Sequence, residues 1–182
     1  MNILTRRLCN DHHIMSTLLA TMEYLLAGIE ERGSDTTRAM GELIEYMIES
    51  PDQHHHPTEE LIFKHLVERD PDARHVVKQL HSEHLLLFRS GDSFRRLLWN
   101  QSRGEQVDYS ELREFGNDYL SLLRDHMSEE EGVVFPWAER TLSDLDWDEV
   151  MANCTLAPDP LKGAQASQRY RALLACLDNT MA

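Results

Sequence analysis

Cysteine is scarce in this chain of 182 residues: Cys9, Cys154 and Cys176 stand far apart, and no CxxC pair occurs. That excludes a disulfide framework and a thiolate zinc site. Long apolar runs are missing too, with no window near the roughly 20 residues that a membrane-spanning helix requires. The opening stretch carries Arg6 and Arg7, but Asn10, Asp11, His12 and His13 stand where a signal peptide needs its apolar segment, so a cytoplasmic protein is expected. Positive charge is in deficit, with 18 Lys and Arg against 32 Asp and Glu, for a formal net charge of −14. Nucleic acid and anionic membrane both demand a basic face and are excluded as partners. No strand-like alternation, low-complexity tract or solenoid period appears.

What is present is helical periodicity, and histidine, ten times over. Residues 3 to 31 place Leu4, Leu8, Met15, Leu18, Leu19, Met22, Leu25, Leu26 and Ile29 at helical spacing. The gap in that stripe is His12. Gly33 with Ser34 and Asp35 is expected to end this helix and cap the next. A second helix starts near Thr36 with Met40, Leu43, Ile44, Met47 and Ile48 inward. Pro51 and Pro57 predict a kink or break between 50 and 57, after which His55, Glu59, Ile62 and Leu66 resume the pattern. Asp70-Pro71 reads as a cap followed by proline at the first helical position. The third stripe is Val77, Leu80, His84, Leu87, Phe88, Phe94 and Leu98, with Gly91 inside it and a loop at Ser102 to Gln106. The fourth helix, about 108 to 140, runs Leu112, Phe115, Tyr119, Leu122, His126, Glu130, Val133 and Trp137.

Four helices of roughly 30 residues with short connections predict an all-α, up-down-up-down four-helix bundle over residues 1 to 142. Residues 143 to 182 are expected to form a helical extension packed on it. This extension comprises a short helix around Trp147, a linker from Ala157 to Gly163, and a last helix carrying Tyr170, Leu173, Leu174 and Leu177.

The polar residues interrupting these stripes form one constellation. His126 and Glu130 lie one turn apart on a core-facing stripe, and His55 with Glu59 repeats the spacing. An imidazole and a carboxylate turned into a core both need partners, and a metal ion suits both. Counted along an antiparallel bundle at 1.5 Å per residue, His12, His55, His84 and His126 fall within roughly 6 Å of one height. Imidazole and carboxylate without thiolate suit iron, manganese or zinc, and two glutamates close together can bridge a pair of ions. The Glu-x-x-His signature of the di-iron oxidase bundles is absent.

Other polar positions read as less direct. His54 and His56 are expected to face solvent or lie behind the ligands. Glu60 and Glu131 read likewise, unless the ligand register slips by one residue at Pro57. His13, His65 and His75 are expected at the surface, and the helix-one methionines in the core. Tyr24 and Tyr119 are expected on or near the inner faces.

With these motifs in view, the chain resembles the haemerythrin-like (HHE cation-binding) family. The resemblance is carried by Leu8-Cys9-Asn10-Asp11-His12, by His54 through Glu60 with Ile62-Phe63, by Glu83-His84, and by His126 through Pro136. It implies an oxo- or hydroxo-bridged non-haem centre of two iron ions, bridged by Glu59 and Glu130, that binds O₂ or a similar diatomic ligand such as nitric oxide. One departure stands out. The full family site has a second histidine four residues before the one at 84; here that position is Leu80, with His81 beside it as a further candidate ligand.

Three functions follow as expectations. The first is a binding or sensing protein for O₂ or nitric oxide, or a holder of iron. The second is an enzyme acting on peroxide or nitric oxide, or delivering iron for cluster repair. The third is a structural bundle with one zinc, or no metal, serving a protein partner. Whether the chain is an enzyme is left open, with binding favoured over catalysis.

Overall fold

Asn2 starts the first helix because its side-chain oxygen accepts the Leu4 backbone N–H at 2.9 Å, satisfying one donor that a helix start leaves orphaned. The computed structural model describes residues 1–32, 34–51 and 55–154, and every regular element among them is helical. α1 (Ile3–Ala27) breaks at Gly28 and continues as the short α2 (Ile29–Arg32). α3 (Ser34–Ser50) and α4 (His56–Arg69) make the second span, with Pro51 and His55 in a wide turn between them. α5 (Arg74–Ser102) follows a 3-10 turn at Pro71–Ala73, which Asp70 caps by accepting from the Asp72 N–H. The fourth span is α6 (Tyr109–Glu129), a π-turn at Glu130–Val134, and α7 (Phe135–Thr141). α8 (Asp144–Asn153) completes the described chain.

The all-helical expectation holds, but the long helices are interrupted rather than continuous. The interruption near Pro51 is the one that proline chemistry predicts. The expected stop at Gly33 lies outside the described residues; the chain already breaks at Gly28, whose N–H bonds the Leu25 and Leu26 carbonyls. The Ala157–Gly163 linker and the helix expected around Tyr170 also lie outside them. None of the described helices is long and apolar enough to cross a membrane.

Neighbouring spans run antiparallel. Asn2 and Thr5 at the start of α1 bond Glu139 in α7, while Leu26 at its far end lies beside Gly116 in α6. Ile48 of α3 faces Gly91 of α5, and His56 of α4 stacks on His84. Gln101 at the end of α5 bonds Tyr109 at the start of α6, and Glu83 farther back reaches His126.

The core falls into two apolar clusters. One gathers around Leu18, Met22, Met40, Leu43, Phe94 and Tyr119; the other around Leu4, Leu8, Ile62, Phe63, Leu80 and Val134. His12 sits between Leu8 of one cluster and Met15 of the other, and Glu130 between Met127 and Val134. A polar layer therefore crosses the middle of the molecule.

Several stripe positions differ from expectation. Phe115 is exposed and Gly116 takes the inward place, because a Cβ there would come within 2.6 Å of Leu26 and 3.0 Å of Phe94. Gly91 serves the same close approach, with Ile48 and Tyr119 each 3.0 Å from where its Cβ would stand. Phe88 is half-exposed at a cavity rim, and Tyr24 is also exposed rather than inward. Val133 turns outward and Val134 inward, since the π-turn inserts one residue and advances the register.

α8 is tied to α4 by a buried carboxylate. Asp146 accepts from Arg69 at 2.7 and 2.9 Å, and closes a capping box with Ser143. His65 is therefore not a free surface residue; its Nδ1 lies 3.7 Å from Asp146. Arg69 and Ser143 hold the Asp146 carboxyl well below the usual carboxylate range. Asp146→Ala is expected to cost about 1–2 kcal/mol, read as a lower Tm. A group with a depressed folded pKa contributes above its unfolded value, so the difference from wild type should be full at neutral pH and shrink below about pH 4. A Tm difference that ignores pH would contradict this.

Candidate metal centre

The layer is assembled from every span. α1 contributes His12; His55 closes the wide turn before α4, and Glu59 lies one turn further along. α5 contributes His84, while His126 near the end of α6 and Glu130 at the start of the π-turn complete the set. Pro57 is tolerated so close to Glu59 because it occupies the first turn of α4, where its missing N–H has no helical partner to lose.

All four imidazoles turn Nε2 toward the two carboxylates. His55 Nε2 lies 2.7 Å from Glu59 and His126 Nε2 3.2 Å from Glu130. His12 Nε2 lies 3.3 Å from Glu130 and 2.9 Å from His55 Nε2. His84 Nε2 sits between both glutamates, 3.6 Å from Glu59 and 3.7 Å from Glu130. Glu59 and Glu130 are wholly buried. None of their four oxygens, nor Nε2 of His84 or His126, has an aligned hydrogen-bond partner among the described residues. Buried polar atoms left in that state are costly, and a cation at the convergence of these donors satisfies them.

Without a cation, charge is balanced by protons. Burial alone would depress the His55 imidazole, but Glu59, with Asp11 and Glu130, outweighs it and holds the ring up at about 10. Burial also opposes protonation of His126, and Glu130 with Glu83 raises it to about 9. Burial resists ionisation of Glu130, yet His12, His126 and His84 keep it well below the carboxylate range; Glu59 is lowered too, by His55 and His56 against burial and Glu130. The carboxylates and the imidazoles of His55 and His126 thus favour each other's charged forms.

Three groups of donors lie close enough to hold a metal ion: His12, His55, Glu59 and Glu130; His56, Glu59 and His84; and His84, His126 and Glu130. Glu59 and Glu130 each belong to two of them. The sequence-derived set of His12, His55, Glu59, His84, His126 and Glu130 is therefore brought together in space. His81 is not; its Nε2 lies 2.8 Å from Glu60, and the side chain is 43% exposed. His56 was expected outside the layer and instead joins it, its ring stacked on His84 at 4.1 Å. The run of three histidines was the available signal, but its phase was unreadable across the wide turn. Glu60 and Glu131 are exposed, as expected, although each also approaches an imidazole from behind.

A cavity of about 20 Å³ opens onto the layer itself, with Met15, Met47, Leu87, Tyr119 and Leu123 on one side and His12, His55, His56, His84, His126 and Glu130 on the other. A single water needs roughly 10–15 Å³ by the same measure, so the space suits a molecule of two or three atoms.

Comparison with known families matches residues 4–142 to the hemerythrin HHE cation binding domain. No curated protein and no solved structure matches the chain.

Proposed function

The chain belongs to the hemerythrin HHE cation-binding family, and on that premise we propose that it is a non-haem di-iron protein that binds or senses O₂ or another small diatomic ligand such as nitric oxide. The observation that carries this reading is the sharing of Glu59 and Glu130 between donor groups. Shared carboxylates are what two neighbouring ions require. One ion would be held by His12, His55, Glu59 and Glu130. The other would be held by His84, His126 and the same two glutamates, with His56 supplying the imidazole that Leu80 does not. Iron so bound supplies reversible, electron-rich coordination of a diatomic molecule.

The protein's own residues shape that chemistry. Five imidazoles against two carboxylates bring few anions to the site, which favours carrying a ligand over oxidising it. The small cavity that opens onto the layer, walled in part by Met15, Met47, Leu87, Tyr119 and Leu123, admits a diatomic molecule and leaves no room for a larger substrate. An enzyme working through a thiol is less well supported, since burial and Glu131 push the nearby Cys9 thiol up and leave it a poor nucleophile. We read residues 1–142 as an up-down-up-down four-helix bundle with interrupted helices, and 143–182 as its helical extension. The antiparallel contacts support the first, and the Asp146–Arg69 tie supports the second as far as Cys154, where the described residues end. The acidic, cysteine-poor composition suits the cytoplasm.

Anaerobic loading with Fe(II) followed by air tests the reading. Two irons per chain and charge-transfer bands that azide shifts are expected, with about two protons released per chain near pH 7 as His55 and His126 yield theirs. A colourless protein with one zinc would leave only a structural role, and turnover of peroxide or nitric oxide would make it an enzyme. His56→Ala is expected to weaken the second iron markedly, and His81→Ala much less, in metal analysis after dialysis. Equal losses in the two variants would count His81 as a ligand.

A further inference from the structure

His12, His55, His84 and His126 each turn Nδ1 outward, and each of these nitrogens faces a carboxylate from another span. Asp11 on α1 lies 3.5 Å from His55 Nδ1, close enough for charge to act though not aligned as a hydrogen bond. Glu60 on α4 lies 3.8 Å from His84 Nδ1. Glu83 on α5 lies 2.9 Å from His126 Nδ1, and Glu131 in the π-turn 2.9 Å from His12 Nδ1. In that order the contacts pass from first span to second, second to third, third to fourth, and fourth back to first. The ring closes.

Its origin is helical geometry. Each of these carboxylates is the sequence neighbour of a layer residue, rotated about 100° from it and so emerging on the flank of its helix. On α1 and α5 it is the residue before the layer position: Asp11 before His12, Glu83 before His84. On the oppositely directed second and fourth spans it is the residue after: Glu60 after Glu59, Glu131 after Glu130. Reversing a helix reverses which neighbour points clockwise, so all four project in one rotational sense.

We propose that Asp11, Glu60, Glu83 and Glu131 are positioning residues for the metal centre, each holding the outer nitrogen of the next span's histidine. The proposal rests on the metal-binding reading above. An ionised carboxylate only accepts, so the Nδ1 facing it carries the proton and the Nε2 lone pair is left for the ion. The same contact fixes the ring plane and ties two spans together. His81 acquires a role here, since its contact at 2.8 Å steadies Glu60, the most distant member. Gln79 does the same for Glu83, donating at 2.8 Å to its other oxygen.

Titration of the full chain with Fe(II) without air, and with Zn(II), tests the ring. Glu83→Ala and Glu131→Ala are expected to weaken metal binding about 10–100-fold while leaving helix content intact. Glu60→Ala should do less, and Glu83→Gln should recover most of the loss because its amide oxygen still accepts. Asp125→Ala removes the same charge from the exposed position next to His126 and is expected to bind as wild type. In the zinc-loaded protein, ¹⁵N shifts should give Nε2 as the ligating nitrogen of His12, His55, His84 and His126, and Glu83→Ala should disturb His126 alone. Unchanged affinity in Glu83→Ala and Glu131→Ala would overturn the ring while leaving the metal site standing. So would equal losses in Glu83→Ala, Glu83→Gln and Asp125→Ala, which would be a charge effect. A wild-type chain that takes up neither metal would remove the metal-binding reading, and the ring with it.

Discussion

Burying two carboxylates at the centre of a helical core is the constraint that the rest of this structure answers. Glu59 and Glu130 have no solvent and no aligned hydrogen bonds, so positive charge must stand beside them. Imidazoles from all four spans surround them, so the layer can exist only when all the spans are docked. The apolar core is consequently divided, with one cluster on each side of the polar layer. The same groups that oppose stability as bare charges are the ones a cation would satisfy. The two glutamates hold the His55 and His126 imidazoles above their ordinary range for the same reason.

The helix interruptions fall where the layer requires them. The wide turn containing Pro51 and His55 precedes Glu59, and the π-turn begins at Glu130 itself. Each is followed by a helix with proline in its first turn, Pro57 in α4 and Pro136 in α7. A regular helix delivers side chains only at steps of about 100°, and one widened turn changes the phase for everything beyond it. His55 and His56, adjacent in sequence, reach the layer on different sides, His55 beside His12 and His56 against His84. The change of phase at the π-turn is how Val134 replaces Val133 against the second cluster. The glycines act in the perpendicular direction: Gly91 and Gly116 let α5 and α6 come close to their neighbours where a methyl group would not fit.

The residues of the polar layer and the carboxylates behind them are interleaved along the chain as pairs: Asp11-His12, Glu59-Glu60, Glu83-His84, Glu130-Glu131. On one helix, adjacent residues cannot serve one ion. Across a closed set of antiparallel helices they can serve two partners, one inward and one sideways. The pairing therefore uses the bundle as a whole, and its logic is invisible from any single helix.

The sequence by itself determined the helical class, because apolar residues recurring every three to four positions admit no other regular structure. It also determined the height and inward face of His12, His55, Glu59, His84, His126 and Glu130, since helical rise and rotation are constants of the backbone. The tertiary structure decided everything that depends on phase across an irregular turn or on which helices are neighbours. It drew His56 into the layer and left His81 against Glu60. It put Gly116 rather than Phe115 at a contact, because closeness of backbones outranks apolarity of side chains. And it chose the partner of each outward nitrogen, a choice made by helix direction and adjacency, which no stretch of sequence contains.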